Sequence, residues 1–440
     1  MRGYATPEWM NLLGCTFRID PEYFRRHLGF LQLYELFDMP GLPSASTNFV
    51  SLPLVTNATR GSGIGDDGMT AGVDLSRARE DVNMKIGMHL RQLERNSGMG
   101  QSIIRKIHVH STKYYSVEQE LSISIEPKSG GWIAIIWLDC GIDVLEKQLR
   151  EWLALPTTSQ PLPHDLLPVF QFREKNAAKV DDSAPDGRRP SYPLRRDTSG
   201  HHVRRSPGGA VAQSANLLHS HYGQTLDPMI VQTDAFYAVS ELFAFSAYSE
   251  SHFLNLLGLT IDSERHPPLD KMSASLANLE ATRNMLEEHI RKQEATIAAI
   301  QSRGSSTWPR ATNADHIKIV NDKVKTLLLD WNHLLTRSQN MRAQCMDSTN
   351  LLMNQAMLAE AQRSISQAQG LARLTLLAFF FVPLSFTTSF FGMNFSEIID
   401  DHGPKLSVYV WFAVSVPLFA VSLSFLFWGH ITTYLAQKGI

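Results

Sequence analysis

The chain has 440 residues, 43 acidic and 41 basic side chains, and a formal net charge of −2. This balance gives no support to a nucleic-acid-binding protein, and the length allows two or three domains. Three widely separated cysteines, Cys15, Cys140 and Cys345, have no metal-ligand or disulfide spacing, which is typical of a reducing compartment.

The first part of the chain, residues 1–155, has the pattern of an α/β domain. Residues 121–125 alternate polar and apolar side chains, and 132–138 are rich in β-forming residues, so together they predict a hairpin. Residues 82–93 and 143–155 have helical periodicity. No apolar run follows a basic start, so we expect no cleavable secretory signal and a cytosolic domain.

Residues 156–211 are rich in proline, glycine, serine and arginine, which predicts a disordered linker or insertion. A solvated linker is the simplest interpretation. The arginine pairs at 188–189 and 204–205 indicate an alternative, in which this segment contacts anionic lipid or is phosphorylated. Ligation of a soft divalent metal is a weaker alternative for the histidine pairs in or beside this segment: His201, His202, His219 and His221.

Helical segments follow the predicted linker. A helical region over 212–262, centred on 227–259, is expected to pack on the cytosolic domain. Residues 269–302 and 311–391 predict two long helices, separated by a break at 304–309. Together they are expected to form a stalk over 263–372.

Along the second long helix, apolar or small residues recur at alternating spacings of four and three, which predicts packing along a partner helix in a coiled coil. An ordinary bundle helix is the alternative. The polar residues Gln355 and Gln362 on this face are better suited to lining a water-filled central passage than to packing in a two-stranded coiled coil. The seam consists of Leu327, Trp331, Leu334, Ser338, Met341, Cys345, Ser348, Leu352, Gln355, Ala359 and Gln362.

The C-terminal region, 373–440, contains two uncharged apolar stretches at 374–395 and 407–428. Each has the roughly 20 residues that a helix needs to cross a bilayer, so we predict two membrane spans joined as a hairpin. A buried helix of a soluble protein is the alternative. Basic side chains before the first span and acidic ones between the spans predict cytosolic termini, with the plasma membrane as the expected location.

The first span ends in Gly392, Met393 and Asn394, after Pro383 and before Phe395. This tripeptide at the end of the first of two C-terminal spans resembles the CorA magnesium-transporter superfamily, which includes related zinc transporters. The resemblance covers roughly residue 327 to the end of the chain. It implies a cytosolic α/β domain, long stalk helices, a transmembrane hairpin and a funnel-shaped homopentamer in membrane lipid.

The resemblance also implies that five copies of Asn394 surround one selectivity entrance, with Gly392 and Met393 beside it. Magnesium exchanges its water shell reluctantly, and a side-chain carbonyl such as that of Asn394 can accept hydrogen bonds from ion-bound water. A helix C-cap is the local alternative for Gly392 and Asn394.

Helical phase predicts the rest of the pore. Small hydroxyl residues near the entrance and aliphatic residues deeper fall within about 60° of one face. This predicted pore face consists of Ser389, Ser385, Val382, Ala378, Leu374 and Leu371. The alternative is that Ser385 and Ser389 bond to carbonyls of their own helix in a packed interface.

Three acidic side chains after the entrance are expected to concentrate cations there: Glu397, Asp400 and Asp401. The expected function is divalent-cation transport, most simply of Mg²⁺, with no cofactor and no enzymatic activity, since catalytic motifs are missing. The loop lacks the family's Met-Pro-Glu pattern and the tail has few lysines. Zinc or another divalent metal therefore remains an alternative cargo, and a non-conducting membrane-tethered sensor or scaffold remains an alternative function.

Overall fold

The structure is a computed structural model and divides into two units, Met1–Asn350 and Leu351–Ile440. It describes residues 1–30, 48–60, 75–95, 100–141, 164–172, 210–213, 215, 218, 222–223, 225–392, 399–400, 403–404 and 408–437.

The N-terminal unit is built on a five-stranded antiparallel sheet of β1 (Val50–Arg60), β2 (Lys106–Val109), β3 (Tyr114–Lys128), β4 (Gly131–Leu138) and β5 (His164–Leu166). The long strand β3 is central. β1 pairs along one side of it, and β2 and β4 pair in turn along the other. The hairpin predicted from 121–138 is present, with Gly130 in the turn at φ 91°, a conformation that favours glycine.

Helices cover both faces of this sheet. Strand side chains alternate between faces, so Tyr115 and Val117 contact α3 (Leu75–Arg95), which extends the helix predicted at 82–93. On the other face, Trp137 packs with Tyr23 of α2 (Pro21–His27) and with α1 (Pro7–Phe17). Residues 143–155, the other predicted helix of this region, lie outside the described residues.

The region predicted as one helical stretch over 227–259 is two helices, α4 (Pro228–Thr233) and α5 (Ala235–Glu264). Asp234 separates them because its backbone is extended and its carboxylate caps α5, accepting the N–H of Tyr237 at 2.8 Å. The same carboxylate accepts the N–H of Ala311 at 3.1 Å. A contact distant in sequence therefore fixes the break.

Helix α5 lies against the side of β1 that faces away from β3. The N–H of Val55 donates to Ser249 Oγ (2.7 Å), and the Ser249 hydroxyl donates to the Val55 carbonyl (2.8 Å). The Ser246 hydroxyl donates to the carbonyl of Pro53 at 2.6 Å. β5 pairs with β1 only at Ala58–Arg60, so α5 satisfies backbone groups of β1 that are not paired with any strand in the described part of the chain.

Two strands fall within the predicted disordered linker, so that prediction is wrong for residues 164–172. β5 adds to β1, and β6 (Val169–Phe172) pairs with β7 (Ala210–Gln213). The physical reason is local composition, because the sequence from Leu166 to Phe170 is apolar and can join a sheet despite its polar surroundings. Residues 156–163 and 173–209 lie outside the described residues.

Two long helices complete the N-terminal unit. α6 (Met272–Gln301) follows a short 3-10 turn, and α7 (Ala314–Phe391) runs through the position that divides the two units. Between them, Gly304 at φ 77° lies close to Trp308, and a Cβ at this glycine would lie 2.2 Å from the indole ring. The break predicted at 304–309 is therefore present.

The seam predicted on α7 is buried from Leu327 to Leu352, whereas Gln355 and Gln362 are exposed. In the N-terminal unit its partners include helices of the same chain. Ser338 accepts the amide of Gln293 on α6 at 2.9 Å, and the neighbouring Arg337 donates to Asn255 on α5 at 2.7 Å. A coiled coil with other copies stays a prediction.

In the C-terminal unit, α7 continues to Phe391 and α8 spans Val408–Gln437, with a short pairing of β8 (Ile399–Asp400) and β9 (Gly403–Pro404) between them. α7 contains a stretch with a mean hydropathy of 1.8 that is long enough to cross a membrane. The part of α8 whose side chains are described gives a shorter apolar helix, Tyr409–Ser424. The second span therefore stays a prediction.

Candidate functional site

The predicted entrance lies where α7 ends. The Gly392 N–H donates to the Thr388 carbonyl at 3.0 Å, which continues the helical hydrogen-bond pattern by one residue. A Cβ at Gly392 would lie 3.1 Å from that same carbonyl oxygen. A side chain here would therefore require the helix end to shift by a few tenths of an ångström.

Most of the other predicted entrance residues lie outside the described residues. These are Met393, Asn394, Glu397 and Asp401, whereas Asp400 is described only as backbone in β8. Their roles accordingly stay predictions from the sequence.

The six residues of the predicted pore face are all exposed in the C-terminal unit, with Leu371, Leu374 and Val382 each more than 60% accessible. Apolar side chains exposed in this way are typical of contact with lipid or with other protein chains. Phe381, Phe386 and Phe390 are also exposed, so the uncovered surface of α7 is wider than the predicted pore face.

Helix α8 packs on the opposite side of α7. The rings of Phe380 and Phe419 are 4.9 Å apart, and Thr387 is buried. Leu376, Phe380 and Leu384 line an apolar groove with Trp411 and Ser415 of α8, among other residues. At about 100° per residue, these α7 positions lie about 140–180° from Ser389. Packing of α8 therefore leaves the predicted pore face uncovered.

The hydroxyl of Ser385 donates to the carbonyl of Val382 at 3.0 Å. This arrangement corresponds to the alternative in which the serine bonds to its own helix. The hydroxyl oxygen can still accept a hydrogen bond from water, so this bond is compatible both with a pore-lining serine and with a serine in a packed interface.

A second group of polar side chains is buried in the N-terminal unit; we call it the polar cluster. It consists of His108 on β2, Glu118 on β3, Glu250 on α5, and His289 and Lys292 on α6. His108 Nε2 lies 3.2 Å from Glu118 Oε2, and His289 Nε2 lies 4.0 Å from Glu118 Oε1. His289 Nδ1 lies 2.8 Å from Glu250 Oε1, and Lys292 forms an ion pair with Glu118.

The charges in the polar cluster support one another. Burial favours protonation of Glu118, but the hydrogen bond from His108 and the charges of Lys292 and His289 outweigh it and hold the Glu118 pKa well below its usual range. Burial opposes protonation of His289, yet Glu250, through its charge and hydrogen bond, and Glu118 outweigh that effect and raise the His289 pKa. A positive charge at His289 is thus favoured in this cluster.

The polar cluster was not predicted from the sequence. Its only sequence signals are Glu118 within a β-forming segment and His289 on the same face of α6 as Leu286 and Gln293. Buried charged residues usually have partners, but the sequence does not identify partners on other elements.

A family model described as CorA-like Mg²⁺ transporter protein matches residues 256–428. The match includes α6, α7 with the predicted pore face, the Gly-Met-Asn tripeptide and the described side chains of α8. It confirms the resemblance read from the tripeptide and its position. Comparison with curated proteins and with solved structures found no match.

Proposed function

We propose, from the match of residues 256–428 to the CorA-like Mg²⁺ transporter family, that the chain carries Mg²⁺ across a membrane through an entrance formed by Gly392, Met393 and Asn394. Divalent cation transport in general is the activity of the matched family. Mg²⁺ as the cargo and Asn394 as the selectivity residue are our proposals for this chain.

The observation that supports this proposal best is that the family match includes both an apolar helix long enough to cross a membrane and the tripeptide after it. The arrangement of the C-terminal unit adds support, because α8 covers one side of α7 and leaves the side of Leu374, Val382 and Ser389 uncovered. In our proposal, copies of this face surround a pore, with hydroxyl groups near the entrance and aliphatic side chains deeper.

Asn394 is proposed to bind the ion through its water shell. Its amide oxygen accepts hydrogen bonds from ion-bound water and has no net charge that would trap the cation. Stripping water from Mg²⁺ is costly, so an entrance that holds the hydrated ion avoids that cost. The acidic residues Glu397, Asp400 and Asp401 are proposed to raise the local cation concentration without binding an ion tightly.

The test is Mg²⁺ influx into liposomes that contain the purified protein and an enclosed Mg²⁺-sensitive dye. We expect Asn394→Ala to reduce influx by about tenfold or more, since one lost hydrogen bond of about 1.4 kcal/mol at the barrier corresponds to a factor of ten. Asn354→Ala is the matched control, because it makes the same change at an exposed position of α7 far from the entrance.

Three other outcomes would be informative. Equal influx in wild type and Asn394→Ala would reject Asn394 as the selectivity residue and favour a helix cap, for which the change costs about 1 kcal/mol of local stability. Influx of Zn²⁺ without Mg²⁺ would reject Mg²⁺ as cargo. No influx of any divalent cation would favour a non-conducting sensor or scaffold.

A further inference from the structure

Three side chains of the polar cluster have the composition and spacing of a metal site. His108, Glu118 and His289 each offer one ligand atom, and these atoms all lie within 4.8 Å of one another. Ligands of a tetrahedral zinc ion, at about 2.1 Å from the metal, are about 3.4 Å apart. His108 Nε2 lies 3.2 Å from Glu118 Oε2, close to this spacing, and His289 Nε2 lies 4.0 Å from the other oxygen, Glu118 Oε1, which is slightly longer.

The orientation of His289 is the second observation. Its Nδ1 lies 2.8 Å from the Glu250 carboxylate, whereas its buried Nε2 has no hydrogen-bond partner within the described part of the chain. That Nε2 is directed towards Glu118. Metal-binding histidines commonly donate one ring N–H to a carboxylate and bind the metal through the other nitrogen.

The charge of the polar cluster provides the third observation. Glu118 and Glu250 are both about 1% accessible, yet the only ammonium group with an ion pair to either of them in the described residues is that of Lys292, on Glu118. Gln293 donates to Glu250 at 2.8 Å but is neutral. A second positive charge, on His289 or on an ion beside it, balances the second buried carboxylate.

We propose that the N-terminal unit binds one divalent cation of the Zn²⁺ class, with His108, Glu118 and His289 as ligands and Glu250 as the positioning residue for His289. Two imidazoles and one carboxylate favour zinc and similar transition metals over Mg²⁺, which prefers oxygen ligands and water. This site is separate from the proposed entrance at Asn394 and does not depend on it.

Lys292 is the competitor for this ion. Its ammonium group contacts Glu118 Oε1, the oxygen nearest to His289 Nε2, and it also lies 3.1 Å from Glu288. Lys292 is 23% accessible and can move to Glu288 and solvent when an ion binds Glu118. The site therefore exchanges an ammonium ion for a metal ion.

Occupation of the site would join several elements of the N-terminal unit. His108 and Glu118 belong to the sheet, and His289 belongs to α6. Glu250 on α5 contacts both His289 and Gln293, and Gln293 donates to Ser338 on α7 at 2.9 Å. An ion here would fix α6 against the sheet and would be coupled to α7 through hydrogen bonds.

The experiment is isothermal titration of ZnCl₂ into the full chain, purified in detergent without a histidine tag and treated with chelator. We expect one zinc per chain, a rise in the unfolding temperature because zinc binds the folded state, and a Co²⁺ absorption spectrum typical of tetrahedral nitrogen and oxygen ligands. Millimolar Mg²⁺ should not displace the zinc.

Variants identify the ligands. His289→Gln and His108→Gln should each weaken zinc binding by more than about 100-fold, and Glu250→Gln by about 10–100-fold, as is typical when an orienting partner is lost. Lys292→Met should tighten binding by about tenfold or more, because it removes a nearby positive charge. The metal-free unfolding temperature of each variant shows whether it is folded. If His289→Gln fails to fold, His108→Gln still tests the site, because His108 is the least buried of the three ligands.

Two controls separate this site from other metal positions. Asn394→Ala should retain the zinc, which excludes binding at the proposed entrance. A variant with alanine at His201, His202, His219 and His221 should also retain it. Zinc binding that is absent in the wild type, unchanged in both ligand variants, or lost in either control would overturn the proposal.

Discussion

Asp139, immediately after β4, is a buried charge with several partners. Its carboxylate accepts from Arg105 Nε at 2.6 Å and from the Glu120 N–H at 2.7 Å. His27 Nε2 lies 3.0 Å from the other carboxylate oxygen. Asp139 and His27 are both fully buried. The side chain therefore connects α2, the segment before β2, and strands β3 and β4.

Replacing Asp139 by alanine should destabilise the N-terminal unit strongly. Breaking a buried ion pair by removing one partner typically costs about 3–5 kcal/mol. Arg105 keeps a second ion pair with Glu120 at 3.0 Å, so we expect a cost of about 3 kcal/mol, at the lower end of this range. We expect a clear fall in the unfolding temperature by circular dichroism. The control is Glu280→Ala, which removes an exposed pair with Arg283 at 3.8 Å and should cost less than about 1 kcal/mol. Equal effects of the two changes would contradict this interpretation of Asp139.

The pH dependence of that effect follows from the direction of the Asp139 pKa shift. Burial favours the neutral acid, but Arg105 and His27 outweigh burial and lower the pKa below its ordinary value. The stabilisation is therefore fully present above the unfolded pKa of about 3.9 and disappears as pH falls through the lower folded pKa. The difference in unfolding temperature between wild type and Asp139→Ala should be constant above about pH 5 and shrink below about pH 4.

At the scale of elements, local patterns predicted much of the fold. The β3–β4 hairpin followed from strict alternation and a glycine-containing turn. α6 and α7 followed from periodicity over long stretches, which contain no glycine or proline in α6 and only Gly370 and Pro383 in α7. The break between α4 and α5 could not be predicted, because the carboxylate of Asp234 is shared between the start of α5 and the N–H of Ala311. Strand β5 was missed because it has only three residues, two of which are polar, and because its partner β1 is far away in sequence.

The pairing of β6 with β7 defines which part of the predicted linker is dispensable. Phe172 and Ala210 are paired residues on neighbouring strands, so the two ends of segment 173–209 are already close together. We expect an Asn-Gly turn to replace 173–209 without loss of assembly, measured as the native mass in detergent, since these two residues suit a tight hairpin turn.

A longer deletion provides the comparison. Removing 164–209 also deletes β5 and β6, so the backbone groups of Ala58–Arg60 lose their strand partner. This variant should unfold at a lower temperature than the 173–209 replacement. If the shorter replacement alone prevents assembly, segment 173–209 has a structural role that its composition does not indicate.

At the scale of the whole molecule, the proposed pore requires several chains, because one two-span subunit cannot enclose it. We expect the detergent-solubilised protein to be a pentamer of the 49.4 kDa chain, with the exposed face of Leu371, Leu374 and Val382 directed inward. Native mass spectrometry measures the copy number. A monomer in mild detergent would contradict the proposed assembly.

The predicted topology can be tested by labelling with a membrane-impermeant thiol reagent. Cys15 is exposed and must be replaced by serine first, whereas Cys140 and Cys345 are buried. We then expect Asp401→Cys to react from outside the membrane and Gln437→Cys to react only after permeabilisation. The reverse pattern would mean that the proposed entrance faces the cytosol.

The two sites differ in how far the sequence could predict them. The proposed entrance is a tripeptide at the end of an apolar stretch, so all of its signals are local. The polar cluster depends on neighbouring strands, on α6 and on α5, which come together only in the folded unit. Glu118 follows His108 by ten positions but lies on a neighbouring strand, and His289 lies far along the chain on α6. These three residues form no ligand-spacing motif, so the sequence alone does not indicate that they are close together.

The serine contacts of α5 on β1 also limit how copies of this chain can associate. A strand with unpaired backbone groups can recruit a strand from another molecule and extend its sheet across the interface. Ser246 and Ser249 occupy those groups at Pro53 and Val55, and the Leu167 N–H occupies the carbonyl of Asn57. This edge of the sheet therefore cannot pair with a strand of a second copy. A ring of subunits cannot be held together by a continuous sheet through β1, so the contacts between subunits must use other surfaces.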